Sequence, residues 1–189
     1  MSPANGSSPA GTLDTATRPP LRPADRNQLR GVMSWFATGV TVITAGEQTP
    51  MGMTANSFTS VSLDPPLILV CINRQAAIHQ AVLDRGSFAV SVLSARQEHV
   101  ARYFANHARP RGDSEFDFVS WSPGPNTGSP ILQGAIAWVE CSLAGAYYGG
   151  DHSIFLGSVL ACEQASARDA LLCFKGGYHR LEHGQAQHP

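Results

Sequence analysis

Seven strand-length runs rich in β-branched, aromatic and aliphatic residues, separated by turn residues, leave little room in this chain for anything but a mainly β fold. They fall at 40–45, 51–57, 66–73, 87–93, 135–148, 153–163 and 171–180. In the first, Val40, Val42 and Thr44 alternate with Thr41, Ile43 and Ala45, the β-branched pattern of a strand. Helical spacing is confined to three places. Leu29, Val32, Met33 and Phe36 follow Asp25 as a first helix, closed by Gly39, whose apolar stripe is expected in the core. Ile78, Ala81 and Val82 mark a second. A Ser94 to Gln97 capping-box spacing opens a third, which carries Val100, Tyr103 and Phe104. Many strands, few helices and no βαβ alternation predict a β-barrel with accessory helices.

One barrel is what the length supports. A chain of 189 residues with 43% hydrophobic and 14% charged residues can bury one good core but not two. The domain is expected over 25–183. Residues 1–24 carry Pro3, Pro9, Pro19, Pro20 and Pro23 with few large apolar side chains, so a disordered leader is expected there and a short disordered tail at 184–189. The stretch 109–130, rich in Pro, Gly, Ser and Asp, has Phe116, Phe118, Val119 and Trp121 as anchors. Excursions of that length tend to be lids or interface arms, and Trp121 reads equally well as an interface residue or as a cap on its own barrel.

Charge and cysteine usage narrow the class further. A net charge of −1 gives no broad basic face for a phosphate backbone, so nucleic acid is not an expected partner. No apolar run approaches the roughly 20 residues of a membrane span, and a cytoplasmic protein is expected. Cys71, Cys141, Cys162 and Cys173 lie far apart, at neither zinc-ligand nor redox-motif spacing. With no secretory leader read before them, they are expected to be free thiols, buried as small hydrophobes in strands.

The familiar nucleotide and hydrolase signatures are missing: no Gly-rich dinucleotide fingerprint, no Walker loop, no nucleophile elbow and no His–Glu metalloprotease pair. No metal site is expected. Two segments do carry ligand chemistry. In GMTANSFTSVSLDPPLILVCINR, residues 52–74, the short polar side chains Thr54, Asn56, Ser57, Thr59, Ser60 and Ser62 lie between two strand-like runs. Short hydroxyls and amides let a heteroaromatic ring and a phosphate approach the backbone closely, although an ordinary hairpin with a polar face fits the composition equally well. Asp64, Pro65 and Pro66 then force a turn into the buried strand 67–72. In GGDHSIFLGSV, residues 149–159, the glycines bring Asp151 and His152 to the lip of an apolar strand. His152 there is either a ligand contact or a turn histidine bonded to backbone.

Five blocks in order, FATGVTVIT at 36–44, the 52–74 segment, FAVSVL at 88–93, GDHSIFLG at 150–157 and FKGGYHRL at 174–181, resemble the short-chain flavin reductase family. These are the reductase components of two-component flavin-dependent monooxygenases. The resemblance implies a split β-barrel of the flavin-binding type, with accessory helices, that takes hydride from a reduced nicotinamide and supplies reduced flavin to a partner monooxygenase. It implies flavin contacts from Thr54, Ala55, Asn56 and Ser57, then Ser60 and Val61 on the same loop. Cys71, Ile72, Asn73 and Arg74, with Ala77 beyond, are implied around the phosphate, where Arg74 offers a charge-assisted contact. His152 is implied on the nicotinamide side of the flavin as an orienting group, and Tyr178 near the same pocket.

The sequence departs from the family pattern at Ala76 and Ile78, where a serine and a threonine usually supply phosphate-binding hydroxyls. FAD is therefore expected ahead of FMN, and NADH ahead of NADPH for want of an arginine cluster suited to a 2′-phosphate. A twofold homodimer is implied as well. The competing readings are a flavoprotein of the same fold that retains its flavin and reduces a substrate directly, and a non-catalytic flavin- or haem-binding protein.

Overall fold

The computed structural model describes residues 23–165 and 169–181, so the expected leader at 1–24, apart from Pro23 and Ala24, and the expected tail at 184–189 lie outside the described residues. Two units are distinguished, residues 1–33 and 34–189. The first holds α1 (Arg26–Met33), whose start is capped by the Asp25 carboxylate accepting the N–H groups of Asn27 and Gln28 at 3.0 and 3.3 Å. The expected core role of this helix is not met. None of its residues is buried, Leu29, Val32 and Met33 are exposed, the helix ends at Met33, and Phe36 and Gly39 lie beyond it.

The second unit begins with β1 (Thr38–Gly39), β2 (Thr41–Ala45), β3 (Met51–Ala55), β4 (Phe58–Leu63) and β5 (Pro66–Asn73). It continues through α2 (Ala77–Arg85), β6 (Ser87–Val92), α3 (Glu98–Ala105), β7 (Trp121–Pro123) and β8 (Pro130–Leu132). The chain then makes two long strands, β9 (Ala137–Gly149) and β10 (His152–Gln164), and closes with β11 (Leu171–Phe174) and β12 (Gly177–Arg180). The expected strands are therefore present, with two differences. The run at 51–57 stops at Ala55, and the polar stretch after it, expected as a loop, is itself the strand β4 carrying Ser60 and Val61. The run at 171–180 is a tight antiparallel pair, β11 with β12.

Seven strands form one antiparallel sheet in the order β3-β2-β6-β9-β10-β5-β4. Its two outermost strands, β3 and β4, are consecutive in sequence, joined by Asn56 and Ser57 alone. Three Cα steps span at most about 11 Å, whereas six interstrand spacings would hold the edges of a flat sheet about 29 Å apart. The sheet must roll up. No hydrogen-bonded ladder joins β3 to β4, so the barrel remains split along that seam. The 52–63 segment is accordingly not a hairpin; it crosses from one edge of the sheet to the other.

The rolled sheet encloses a core of Ile43, Val70, Ile72, Phe88, Val90 and Phe155, with Ile78 and Val82 of α2 packed into it. On the other face of β2, Val40, Val42, Leu93, Val100, Phe104, Phe116 and Leu171 form a second core around α3. Strand β2 is therefore buried on both faces, each half of its alternation serving a different core. Trp121 packs against this second core and meets Phe116 edge-on, 5.8 Å between centroids, so it caps its own barrel. The four cysteines lie in strands as free thiols, but only Cys141 is buried and Cys162 is exposed, because β10 turns that side of its late residues outward. Burial pushes the Cys141 thiol up to about 12. Among the described residues no helix is long and apolar enough to cross a membrane.

Strands β9 and β10 bend around the core through irregularities at Leu156/Gly157 and Val159/Ala161. At Gly157 an added Cβ would stand 2.7 Å from Phe88 Cζ and 2.9 Å from Cys141 Cβ. Gly157→Ala is expected to lower unfolding stability by about 1–3 kcal/mol through overpacking. In urea titrations, adding Phe88→Leu should recover part of that loss; simple additivity of the two changes would contradict this packing.

Candidate functional site

The two-residue link and the strand ends around it collect most of the polar side chains named from the sequence. Thr54, near the end of β3, donates its hydroxyl to the Ala101 carbonyl of α3 at 2.7 Å. Ala55 is buried and Asn56 is exposed. The Ser57 hydroxyl donates to the Cys71 carbonyl at 2.9 Å and accepts the Cys71 N–H at 3.1 Å. It thereby stands in for a backbone partner one residue before the β4–β5 ladder begins at Phe58 and Val70. Burial raises the Cys71 thiol above its usual range, and Ile72 points into the enclosed core. Ser60 and Val61 are exposed on β4 beside a register shift between Ser60 and Ser62.

The end of β5 is tied down by backbone. Asn73 faces His152 across the β5–β10 ladder, and its carboxamide oxygen accepts the Gln75 N–H at 2.8 Å. The Arg74 N–H donates to the Asp151 carbonyl at 3.0 Å, while its guanidinium is exposed and lies 5.7 Å from the centroid of the Tyr148 ring. Helix α2 then starts from Ala76 in an extended conformation with no side-chain cap, Ala77 is exposed, and Ile78 is buried in the core. The side chains at 76 and 78 thus offer no hydroxyl.

His152 is half-buried, with its Nδ1 2.8 Å from the Asp151 carboxylate. Its Nε2 is the ring nitrogen left for another partner. Tyr178 is placed differently: it packs on the second core, and the Arg102 guanidinium of α3 lies 5.2 Å from its ring centroid. Burial, with the neighbouring Cys173 second, raises the Tyr178 hydroxyl above its usual range. The contacts therefore sort the predicted residues into two groups. Ser57, Cys71, Asn73, Arg74 and His152 gather around the end of β5, whereas Thr54 and Tyr178 are held by α3.

Two features of this region have no signature in the sequence. His79, on α2, sits with its Nε2 2.8 Å from the Ser153 hydroxyl and its ring edge-on to Phe155 at 5.1 Å. Burial first, and Arg74 second, lower its basicity below that of an ordinary histidine. Its partner is 74 positions away, which no local spacing could reveal. The second feature is the buried pair Arg109 and Glu115, 2.8 Å apart. Arg109 donates to the Gly52 carbonyl while Glu115 accepts the Gly52 N–H at 3.1 Å, so the pair grips both sides of one residue of the edge strand β3. Two further Arg109 bonds, to the Phe104 and Asn106 carbonyls at 3.1 and 2.9 Å, fasten the same loop to the end of α3. A cavity of about 340 Å³ opens between Ser94, Gln97, His99, Phe118, Ser120 and Gln133, and none of the predicted site residues lines it.

The Arg109–Glu115 grip sets the position of β3 and hence of Thr54 and the link. Glu115→Gln would leave the guanidinium buried without its counter-charge, at an expected cost of about 3–5 kcal/mol. Chemical denaturation would measure this; a loss below about 1 kcal/mol would show that the pair does not anchor the strand.

The chain matches the family described as flavin reductase like domain over residues 33–182. It is 52% identical over 158 residues to an NADH-dependent FAD reductase of Streptomyces globisporus, an alignment covering 84% of this chain and 86% of the relative. The reductase subunit HsaB of a flavin-dependent monooxygenase from Mycobacterium tuberculosis is 34% identical over 161 residues, covering 84% and 83%. Among solved structures, the flavin reductase component of a bacterial two-component tryptophan halogenase superposes with a TM-score of 0.80 at 55% identity, covering 83% of this chain and 98% of that one. A Streptomyces globisporus NADH:FAD oxidoreductase in complex with NAD and FAD fragments gives a TM-score of 0.81 at 46% identity, covering 89% and 99%.

Proposed function

The chain belongs to the flavin reductase like domain family, and from that premise we propose that it uses NADH to reduce FAD and passes the reduced flavin to a separate monooxygenase. The observation that carries this reading is the polar, open rim at the seam of the barrel. There Asn56, Ser60 and Arg74 are exposed, β4 presents an unpaired strand edge, and His152 stands directly across the ladder from Asn73.

These residues fit a flavin. Short side chains along β4 and the link leave the backbone open to a ring edge and its polar side chain. Arg74 supplies a cation for phosphate, next to the start of α2, where backbone N–H groups lack a side-chain cap. The redox chemistry is that of the nucleotides themselves, with reduced nicotinamide as hydride donor and isoalloxazine as acceptor. The protein has to bring the two within about 3 to 3.5 Å and exclude water, which calls for no strong acid or base. His152 orients the nicotinamide through the ring nitrogen not engaged by Asp151. Thr54 and Ser57 act on the site through the fold, since their hydroxyls hold α3 and β5.

Tyr178 and His152 belong to different neighbourhoods of one chain, and a twofold dimer is the arrangement that would let both serve one pocket. Exposed Val61 and Leu63 on the edge strand β4 are consistent with such pairing. Dependence on NADH fits a cytoplasmic enzyme.

An anaerobic assay of NADH and NADPH oxidation with FAD, FMN and riboflavin tests the reading. NADH oxidation should scale with added FAD, and a protein that purifies yellow and ignores added flavin would overturn flavin release. His152→Ala is expected to raise the NADH Michaelis constant about 2- to 12-fold, the loss of one hydrogen bond of about 0.5–1.5 kcal/mol. An unchanged constant removes His152 from the nicotinamide site.

A further inference from the structure

We propose that Arg74 and the ring of Tyr148 together form a subsite for the adenosine diphosphate moiety of FAD, and so set the preference for FAD over FMN. The inference rests on the proposed flavin reductase activity and adds a named place for the part of FAD that FMN lacks.

Two independent observations lead there. The first is a loss. Beyond Arg74 the chain offers the methyl of Ala76 and the buried side chain of Ile78, so neither position brings a hydroxyl to a phosphate held by the guanidinium. A single exposed cation holds a terminal phosphate weakly, and a ligand relying on it needs contacts elsewhere. The second is a gain. Tyr148 is 79% exposed, far more than an aromatic ring of this size usually is, and it stands beside the same arginine, 5.7 Å from ring centroid to guanidinium carbon.

Its placement is not loose. Tyr148 pairs with Ser153 in the β9–β10 ladder, two residues before the turn at Gly150, and the Asp151 carbonyl of that turn accepts the Arg74 N–H at 3.0 Å. Backbone hydrogen bonds thus hold the main chain at Tyr148 and at Arg74 in register. A planar ring next to a guanidinium suits a ligand that is a base at one end and a diphosphate at the other: the purine stacks on the phenol and the phosphates meet Arg74. FMN ends at its one phosphate and would leave the ring bare. FAD continues through a second phosphate to adenosine, which the neighbouring ring can cover.

NADH carries the same adenosine diphosphate moiety, so the test must separate the two nucleotides. Tyr148→Ala and Tyr148→Phe are compared with the unaltered protein in steady-state assays with FAD, FMN and NADH, and in calorimetric titrations with ADP alone. The proposal expects Tyr148→Ala to raise the ratio of FAD to FMN Michaelis constants and to weaken ADP binding, each by at least about fivefold, as for other base–aromatic stacks. Tyr148→Phe, which keeps the ring, should stay within about twofold of the unaltered protein on both readouts. An unchanged ratio, or ADP binding indifferent to the ring, would overturn it. A rise confined to the NADH constant would assign the ring to the nicotinamide nucleotide and equally overturn it. If the unaltered protein reduced no flavin at all, the proposed function would fall, while the ADP titrations would still decide whether Arg74 and Tyr148 form a nucleotide site.

Discussion

The two-residue link between β3 and β4 is the constraint on which the rest of the structure depends. Asn56 and Ser57 connect the outermost strands of a seven-stranded sheet, and a link that short can be made only if the sheet curls until its edges meet. The curl creates the enclosed core and leaves the outer face of β2 to be covered by α3 and its neighbours, so β2 is buried on both sides. It also places the candidate site. At the link the two edges of the sheet come together, which concentrates polar backbone and short polar side chains at a seam.

The two edges are treated differently. β3 is covered: the buried Arg109 and Glu115 grip the backbone of Gly52, Phe104 and Phe116 press on the same glycine, and Thr54 bonds the backbone of α3. The long excursion that looked like a lid in the sequence acts as an edge cover for its own barrel, with Trp121 against the second core. β4 stays open on its outer side, with Thr59, Ser60 and Val61 exposed. An open strand edge risks unwanted pairing unless a ligand or a second subunit meets it. The proposed flavin and the proposed twofold partner both fall on this side of the molecule.

The same economy of side chains separates two kinds of polar residue in the 52–74 segment. The hydroxyls of Thr54 and Ser57 have backbone partners inside the protein, so they shape the seam. Asn56, Ser60 and Arg74 remain exposed and are the side chains open to the proposed flavin. His152 owes its position to the ladder with Asn73 and its ring orientation to Asp151. The specificity inferred for FAD draws on Arg74 and Tyr148, which come from the ends of different strands and meet only because the turn after β9 is bonded to the end of β5.

How much of this was legible in the sequence follows from the range of each interaction. The seven expected strand runs, the α2 and α3 helices, the turn at Pro65 and Pro66 and the family blocks could be read, because side-chain period and turn chemistry are local, whereas β4, with polar residues on both faces, was read as a loop. Ser94 and Gln97 show how far such reading goes: the Gln97 side chain accepts the Ser94 N–H at 3.0 Å, yet α3 starts only at Glu98, with Gln97 in the cap position and no side-chain cap. The α1 stripe was misjudged for the converse reason, since periodicity reports that one face is apolar and not what lies against it. The separation of β3 from β4, the Arg109–Glu115 grip on Gly52, the pairing of His79 with Ser153 and the meeting of Arg74 with Tyr148 were hidden, since each joins residues that only the rolled sheet brings together. The sequence by itself determined most of the long strands and which residue types line the ligand segments. Tertiary structure decided which of those residues are exposed to a ligand and which are engaged by the fold, because hydrogen-bond partners and burial depend on contacts between distant strands.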